Sequence, residues 1–265
     1  MVKLIGLLII VALIGFGSFY LINPQEKKEE ANLTSNEVPD SVKSFLTVTP
    51  ISHASMIIPL GNQIIYNDPV GGANLYEGQP TPDIILVSDI HSDHFDPKTL
   101  ETIAVKGSTL IVPLAVASEL PDNIEANVVV LRNGESMDKD GISIEAIPMY
   151  NIPESEDARH PNGRGNGYLL ESEGKRVYIA GDTSMTKEMV SLKNIDVAFI
   201  PMNSPFTMSV EEAAEAVLKF KPAVVYPYHY RTEDGYSDIE KFKDVVNLGN
   251  PEIDVELLNF YPEQK

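Results

Sequence analysis

Short apolar runs separated by polar turns dominate the chain after residue 44. Many of these runs are rich in β-branched residues, which is typical of strands buried on both faces. The predicted strands cover residues 45–48, 55–60, 63–66, 84–87, 110–112, 128–131, 142–149, 168–171, 176–180, 195–200, 224–226 and 255–260. Gly61-Asn62 and Glu173-Gly174 separate neighbouring runs and predict hairpin turns.

Helical patterns alternate with these strands. Ser209 and Glu212 form a capping box, after which apolar residues recur at helical spacing. Ser237 and Glu240 form a second capping box before another amphipathic segment. Shorter helices are predicted over 97–105 and near 115–120. Hairpins combined with helices between buried strands predict an α/β fold, with mixed sheets that helices cover.

A separate apolar segment lies near the N-terminus. Residues 4–22 carry no charge, and as a helix they would span about 28 Å, close to the thickness of the bilayer hydrocarbon core. One interpretation is a membrane anchor. The other is a signal peptide, with an apolar region over 4–14 and cleavage near Gly15 and Gly17. We favour the anchor, because residues 19–22 extend the run beyond the usual length of a signal peptide.

The polar stretch over residues 23–43 predicts a linker between this segment and one domain over 44–265. We expect that domain to be either anchored to a membrane or exported, and to lie outside the cytoplasm. Lysines lie on both sides of the apolar run, so the distribution of positive charge does not decide the orientation.

The composition of the chain limits which kinds of partner and site chemistry it can have. The net charge of −19 repels polyanions, which argues against nucleic acid. The chain has no cysteine, which excludes disulfides, thiolate metal ligands and a cysteine nucleophile. A small-molecule substrate remains the expected partner, and the oligomeric state is not predicted.

The loop after the predicted strand over 84–87 concentrates metal-ligand side chains. Asp89, His91, Asp93 and His94 follow that strand within six residues. Ligands bind outside the carboxyl ends of strands in open α/β sheets. Alternate side chains can line one side of the loop, whereas His94 must point elsewhere, so two metals account for the set better than one.

The remaining histidines support a metal site. The chain has only five histidines, and four of them, His91, His94, His160 and His229, fall in or just after connections that follow strands. Asp182 also follows a predicted strand at once. Imidazole and carboxylate groups gathered at strand ends predict a dinuclear metal centre.

Five motifs resemble those of the metallo-β-lactamase superfamily, and within it the branch that contains ascorbate-6-phosphate lactonase and other metal-dependent hydrolases. The motifs are Ser52-His53-Ala54-Ser55 with Asn67-Asp68-Pro69, Asp89-x-His91-x-Asp93-His94, His160, Gly181-Asp182-Thr183 and Pro227-Tyr228-His229-Tyr230. The resemblance covers residues 44–261 and implies a four-layer αββα sandwich with a two-metal site along one edge.

The same resemblance implies the ligands of two divalent ions, expected to be zinc, with manganese or iron as alternatives. One ion would take Asp89, His91 and His160, and the other would take Asp93, His94 and His229, with Asp182 as the bridge. Residues expected to support the ligands or face the substrate are His53, Asp68, Tyr150, Asn203, Tyr230 and Arg231.

Position 89 departs from the family pattern, because Asp89 stands where the first histidine is expected. Two divalent ions with three aspartates leave a net charge of +1, where the usual pattern leaves +2. A less positive centre acidifies bound water less and favours manganese or iron over zinc. The exchange also predicts a weak first site.

The predicted function is metal-dependent hydrolysis of a small-molecule ester, lactone or phosphodiester by a hydroxide held between two metals. Asp93 and Asp182 are the predicted catalytic residues. Two alternatives stay open, an iron-centred redox enzyme on the same fold and a non-catalytic metal-binding domain. The superfamily name does not imply β-lactam hydrolysis, because function lies in the site rather than in the fold.

Overall fold

The structure is a computed structural model that describes residues 46–262. The predicted anchor or signal segment over 1–22 and the linker over 23–43 lie outside the described residues. Within 46–262, none of the helices combines the length and the apolar character that crossing a bilayer requires.

The first sheet has six strands in sequence order. They are β1 (Thr49–Ser52), β2 (Ser55–Leu60), β3 (Gln63–Asn67), β4 (Ile84–Leu86), β5 (Thr109–Val112) and β6 (Asn127–Val130). β1, β2 and β3 pair as antiparallel hairpins, whereas β3 to β6 run parallel. A 3₁₀ turn (Ala73–Tyr76) and helices α1 (Pro97–Ile103) and α2 (Leu114–Ala117) form part of the connections.

The second sheet has seven strands in the order β15-β12-β11-β10-β9-β8-β7. They are β7 (Ser136–Lys139), β8 (Ile142–Met149), β9 (Gly165–Ser172), β10 (Lys175–Ile179), β11 (Val197–Pro201), β12 (Val224–Tyr228) and β15 (Asp254–Val255). The helices of this half are α3 (Lys187–Ser191), α4 (Val210–Phe220) and α5 (Ile239–Gly249). A separate hairpin consists of β13 (Arg231–Thr232) and β14 (Gly235–Tyr236).

Successive side chains of each strand point to opposite faces of its sheet, which divides the core into layers. Ile58 and Ile65 of the first sheet share one buried cluster with Leu170 and Val177 of the second sheet and with apolar residues of α4 and α5. Neighbouring side chains on the opposite face of the first sheet join a second cluster, which includes Leu100 of α1. The layers are therefore helices, sheet, sheet and helices, as expected for the αββα sandwich.

Two predicted strands differ from the structure. The run over 45–48 was predicted as a strand, but the described part precedes β1, which starts at Thr49. The run over 255–260 is paired only at β15. Leu46 and Phe260 are buried in the core all the same, so these runs are apolar because they pack against it rather than because they pair.

Further local features, α3 and the 3₁₀ turn among them, escaped prediction or were misplaced. β7 alternates between exposed and half-buried residues and carries little apolar signal. The two strands of the β13–β14 hairpin are each only two residues long. The second capping box was wrong in detail: Asp238, not Ser237, caps α5 by accepting from the Lys241 amide, whereas the Ser237 hydroxyl donates to the Met202 carbonyl.

Candidate metal centre

The loops that follow β3, β4, β10 and β12, and the loop that enters β9, bring imidazoles and carboxylates together at one edge of the two sheets. The structure gathers all seven predicted metal ligands there, in sets whose donor atoms lie within 4.8 Å of one another. We call His94, Asp182 and His229 the inner site, and Asp89, His91 and His160 the outer site. Asp93 lies beside the inner site, with Oδ2 3.6 Å from His229 Nε2.

The spacing of the inner-site donors fits a metal ion. His94 Nε2 lies 3.1 Å from His229 Nε2, and each of them lies 3.2 Å from an oxygen of Asp182. Zinc–nitrogen bonds of about 2.0–2.1 Å in a tetrahedron place neighbouring donors about 3.3 Å apart. Asp182 Oδ1 is buried and makes no hydrogen bond within the described part of the chain. The three donors therefore suit one cation.

A carboxylate behind His94 fixes its orientation. His94 Nδ1 lies 2.9 Å from Asp68 Oδ2, and the backbone amide and hydroxyl of Ser88 donate to the same carboxylate at 2.6 and 2.7 Å. A proton on Nδ1 leaves the Nε2 lone pair aimed into the inner site, the arrangement found behind most histidine metal ligands. Asp68 therefore lies directly behind the His94 ring.

His229 has an amide behind it. Its Nδ1 lies 3.4 Å from Asn203 Nδ2, and Asn203 Oδ1 is buried with no hydrogen-bond partner among residues 46–262. Amide oxygen and nitrogen are assigned from the surrounding hydrogen bonds. With the amide turned over, the imidazole Nδ1–H donates to Asn203 Oδ1, which again leaves the Nε2 lone pair for the inner site.

Backbone conformation helps to aim these side chains. His53, Asp68 and His229 have φ values of +57°, +43° and +49°, in the left-handed region that residues other than glycine seldom adopt. Such conformations persist where the surrounding structure imposes them, and they cluster at functional sites. Here they occur at strand ends, where the chain turns to present a ligand or its support.

Asp93 ends a chain of hydrogen-bonding groups beside the inner site. Its Oδ2 lies 3.2 Å from His53 Nε2, and His53 Nδ1 lies 2.6 Å from the Tyr261 hydroxyl, which accepts from the Arg231 amide. Burial lowers the pKa of His53 to about 4, so the ring is neutral at pH 7. The tautomer that satisfies the chain donates from Nε2 to Asp93 and accepts at Nδ1 from Tyr261.

The outer site brings three donors together but differs in its surroundings. His160 Nε2 lies 3.2 Å from Asp182 Oδ2 and 4.0 Å from Asp89 Oδ2, and His160 Nδ1 lies 3.0 Å from Asn151 Oδ1. His91 Nδ1 lies 2.9 Å from Asp89 Oδ2. The His91 side chain is 24% exposed, whereas His160 and Asp89 are fully buried.

Arg164 enters the outer site and was not predicted. Its Nε and Nη2 donate to the two oxygens of Asp89 at 2.9 and 2.8 Å, and Nη2 also lies 3.3 Å from His91 Nε2. The charge count made from the sequence did not include this positive group. A signal was present: a buried carboxylate in place of a neutral imidazole requires a counter-charge.

The electrostatics of the inner site favour an ionised carboxylate. Burial alone would raise the pKa of Asp182, but His229 and His94 hold it well below its usual value. Burial likewise opposes the charged form of His94, yet Asp182 and Asp68 raise its pKa well above the ordinary range. In the absence of metal these groups therefore hold one another as an ion pair.

A cavity of about 520 Å³ opens beside Asp93. Ser52, His53, Gly71 and Arg231 are among the residues that line it. A larger cavity of about 600 Å³, lined in part by Gly174, Lys221 and Asn250, contains no histidine and lies away from the metal ligands. Of these two cavities, the one beside Asp93 is lined by a predicted metal ligand and by His53.

The predicted tyrosines are engaged with the protein itself. The Tyr150 hydroxyl donates to Glu188 Oε2 at 3.0 Å. The Tyr230 hydroxyl donates to the Leu258 carbonyl and accepts from the Phe260 amide. Tyr228 accepts from the Gly181 amide at 2.9 Å, which ties the end of β12 to the loop of Asp182. The structure gives these hydroxyls supporting contacts.

Known proteins with similar sequences include metal-dependent hydrolases. A family model described as "Beta-lactamase superfamily domain" matches residues 47–229. A UPF0173 metal-dependent hydrolase of Pyrococcus abyssi is 33% identical over 62% of this chain and 74% of its own length. Another from Pyrococcus furiosus is 30% identical over 76% of this chain and 92% of its own length.

Solved structures agree as well. A crystal structure from Parabacteroides distasonis has 39% sequence identity and a TM-score of 0.70, and the match covers 80% of this chain and 92% of that chain. The metallo hydrolase Igni18 of Ignicoccus hospitalis has 22% identity and a TM-score of 0.68, over 83% of this chain and 96% of that chain. The second likeness concerns the fold alone.

Proposed function

We infer that the inner site activates water for hydrolysis, since this chain belongs to the β-lactamase superfamily and is a metal-dependent hydrolase. We propose a small-molecule ester, lactone or phosphodiester as its substrate. The observation that carries the proposal is the convergence of His94, Asp182 and His229 from three separate connections to within 3.1–3.2 Å of one another.

The inner-site residues would hold the metal, with Asp93 beside them. A divalent cation held there supplies Lewis acidity, which lowers the pKa of a water molecule and polarises the bond to be broken. Two imidazoles and carboxylate oxygen form a donor set that suits zinc, and manganese and iron accept the same donors. The version with two metals, predicted from the sequence, also requires an ion at the outer site beside Arg164.

Asp93 is the group best placed to guide the attacking water. Its side chain is 31% exposed and lines the cavity, whereas the other carboxylates of the centre are almost fully buried. His53 Nε2 donates to Asp93 Oδ2 and so holds one oxygen in place. The other oxygen is left to orient the water and accept its proton, and Arg231 at the cavity wall would bind a negatively charged substrate group.

The test is substrate profiling of the purified protein with defined metals. Metal-free protein is reloaded separately with zinc, manganese and iron and assayed against esters, lactones and phosphodiesters. We expect turnover that depends on the metal and is lost in Asp182→Ala. Full turnover without metal would contradict the proposal. Metal-loaded protein inert against the whole panel would favour a metal-binding domain, and oxygen-dependent turnover with iron would favour a redox enzyme.

Localisation forms a further part of the proposal. The uncharged apolar run over residues 4–22 supports attachment of the hydrolase domain to a membrane, or its export. Cell fractionation with mass analysis of the mature N-terminus distinguishes an uncleaved anchor from a cleaved signal. Recovery of the full-length chain in the soluble cytoplasmic fraction would contradict both.

A further inference from the structure

We propose that the Asp89–Arg164 ion pair takes the place of the metal predicted for the outer site. The chain would then hold one metal ion, at the inner site, and present the Arg164 guanidinium as the second positive group of the centre. The role that this inference gives Arg164 in substrate binding rests on the proposed function. The number of metals that it predicts is measurable without any substrate.

The carboxylate of Asp89 is committed to the protein. Arg164 binds both of its oxygens in the two-pronged geometry that is the strongest arrangement for this pair, at 2.9 and 2.8 Å. His91 Nδ1 lies 2.9 Å from the same Oδ2. A metal ion at this position would have to displace the guanidinium from a fully buried carboxylate.

The scaffold positions Arg164 for this contact. The next residue, Gly165, starts β9 beside the metal-ligand loop, where a Cβ atom would lie only 2.8 Å from the Ser88 carbonyl and 3.3 Å from Asp89 Oδ1. The Asn166 amide donates to the Ser88 carbonyl, and the Asn133 side chain donates to the Gly165 carbonyl. The backbone after Arg164 is therefore held against the loop that carries Asp89.

Charge balance favours one metal. Among the candidate ligands, Asp89 is neutralised by Arg164, which leaves the two negative charges of Asp93 and Asp182 for a single divalent ion to balance, while the Asp68 carboxylate faces Nδ1 on the far side of the His94 ring. A second divalent ion would add two positive charges next to the guanidinium. Like charges at this distance in a buried site repel strongly, since water screens them little.

The Arg164 guanidinium can bind a substrate while it also binds Asp89. Arg164 Nη1 has no hydrogen-bond partner within residues 46–262, and the side chain is 20% exposed. A planar guanidinium matches the oxygens of a carboxylate or phosphate. A substrate with a negatively charged group, or with an oxygen that gains negative charge during the reaction, would therefore be oriented between the inner-site metal and Arg164.

Counting metals tests the inference. Metal-free protein is titrated with zinc and, separately, with cobalt, and the bound metal is measured by mass spectrometry and by the cobalt absorption spectrum. We expect one ion per chain, with binding of a second weaker by roughly 100-fold or more. The double variant Asp89→His with Arg164→Ala, which supplies a third imidazole and removes the cation, is expected to bind two.

Arg159→Ala is the matched control. Arg159 belongs to the same loop but lies 4.4 Å over the Phe206 ring, so its loss is expected to leave the count at one. Two ions bound to the wild-type chain with similar affinity would overturn the inference. A double variant that circular dichroism shows to be folded, but that still binds only one ion, would also overturn the inference. Failure to bind any metal would overturn both this inference and the proposed function.

Discussion

The inner and outer sites are built from the same residue types but have different partners. At the inner site Asp68 and Asn203 stand behind the two histidines, and every donor is at most 2% exposed. At the outer site a guanidinium holds the carboxylate, and His91 is partly open to solvent. In the proposed one-metal centre, convergence of ligand-type side chains is not sufficient for a metal site, because the nearest counter-charge also decides what binds there.

Removing the shared carboxylate should have the largest effect. Asp182 lies 3.2 Å from His94, His160 and His229, so Asp182→Ala takes a donor from the inner site and leaves its imidazoles facing one another. We expect loss of bound metal and a fall in turnover of more than about 100-fold, beyond the cost of losing a supporting residue. Metal analysis and steady-state assays measure this, with the exposed Asp138→Ala as control.

Substitutions of the residues behind the histidines distinguish the inner site from the outer site. Asp68→Asn weakens the support of His94, and we expect the metal affinity to fall about 10- to 100-fold. Asn151→Ala removes the corresponding contact behind His160 and should leave metal affinity unchanged. Calorimetric titration measures both. An equal loss of affinity in the two variants would show that the outer site also carries a metal and would contradict the one-metal centre.

Gly165→Ala should disturb the close approach of β9 to the loop that carries Asp89. The added methyl group would collide with Met149 Cε and lie 2.8 Å from the Ser88 carbonyl, so the strand and loop must move apart. We expect the free energy of unfolding to fall by about 1–3 kcal/mol, as for other overpacked sites. Urea denaturation measures the loss. Unchanged stability would mean that the close approach of β9 to the loop is not required.

The smallest effect is expected at the end of the loop that serves both sites. Asp96 caps α1 by accepting from the Lys98 and Thr99 amides, so Asp96→Ala should lower the free energy of unfolding by about 1 kcal/mol at pH 7. The metal count should not change. Thermal or urea unfolding of both proteins across pH measures the difference.

The same substitution has a pH dependence with a defined sign. Burial alone would raise the pKa of Asp96, but hydrogen bonds from Thr99 and from the amides of Lys98 and Gly71 lower it. A carboxyl group with a lowered pKa stabilises the fold above its unfolded-state value, and this contribution is lost as the pH falls through the folded-state value. The difference between wild type and Asp96→Ala should therefore narrow below about pH 4. A difference that widened in acid would contradict the role assigned to this cap.

Much of the centre could be predicted because its signals are local. Asp89 to His94 follow a short buried run directly, and Asp182 follows β10 in the same way. Ser209 caps α4 as its capping box predicts. Strand ends and helix starts are set by neighbouring residues, so a single chain is enough to locate them.

The sequence alone determined which side chains could bind a metal and at which strand ends they stand. Only the tertiary structure decided which partner each of these side chains has. Asp89 and Arg164, for example, are separated by 75 positions, and no local pattern pairs them. The left-handed turns at His53, Asp68 and His229 are likewise imposed by packing around them. A buried charge acquires its partner from whatever the folded chain brings near it, and here that partner separates the outer site from the inner one.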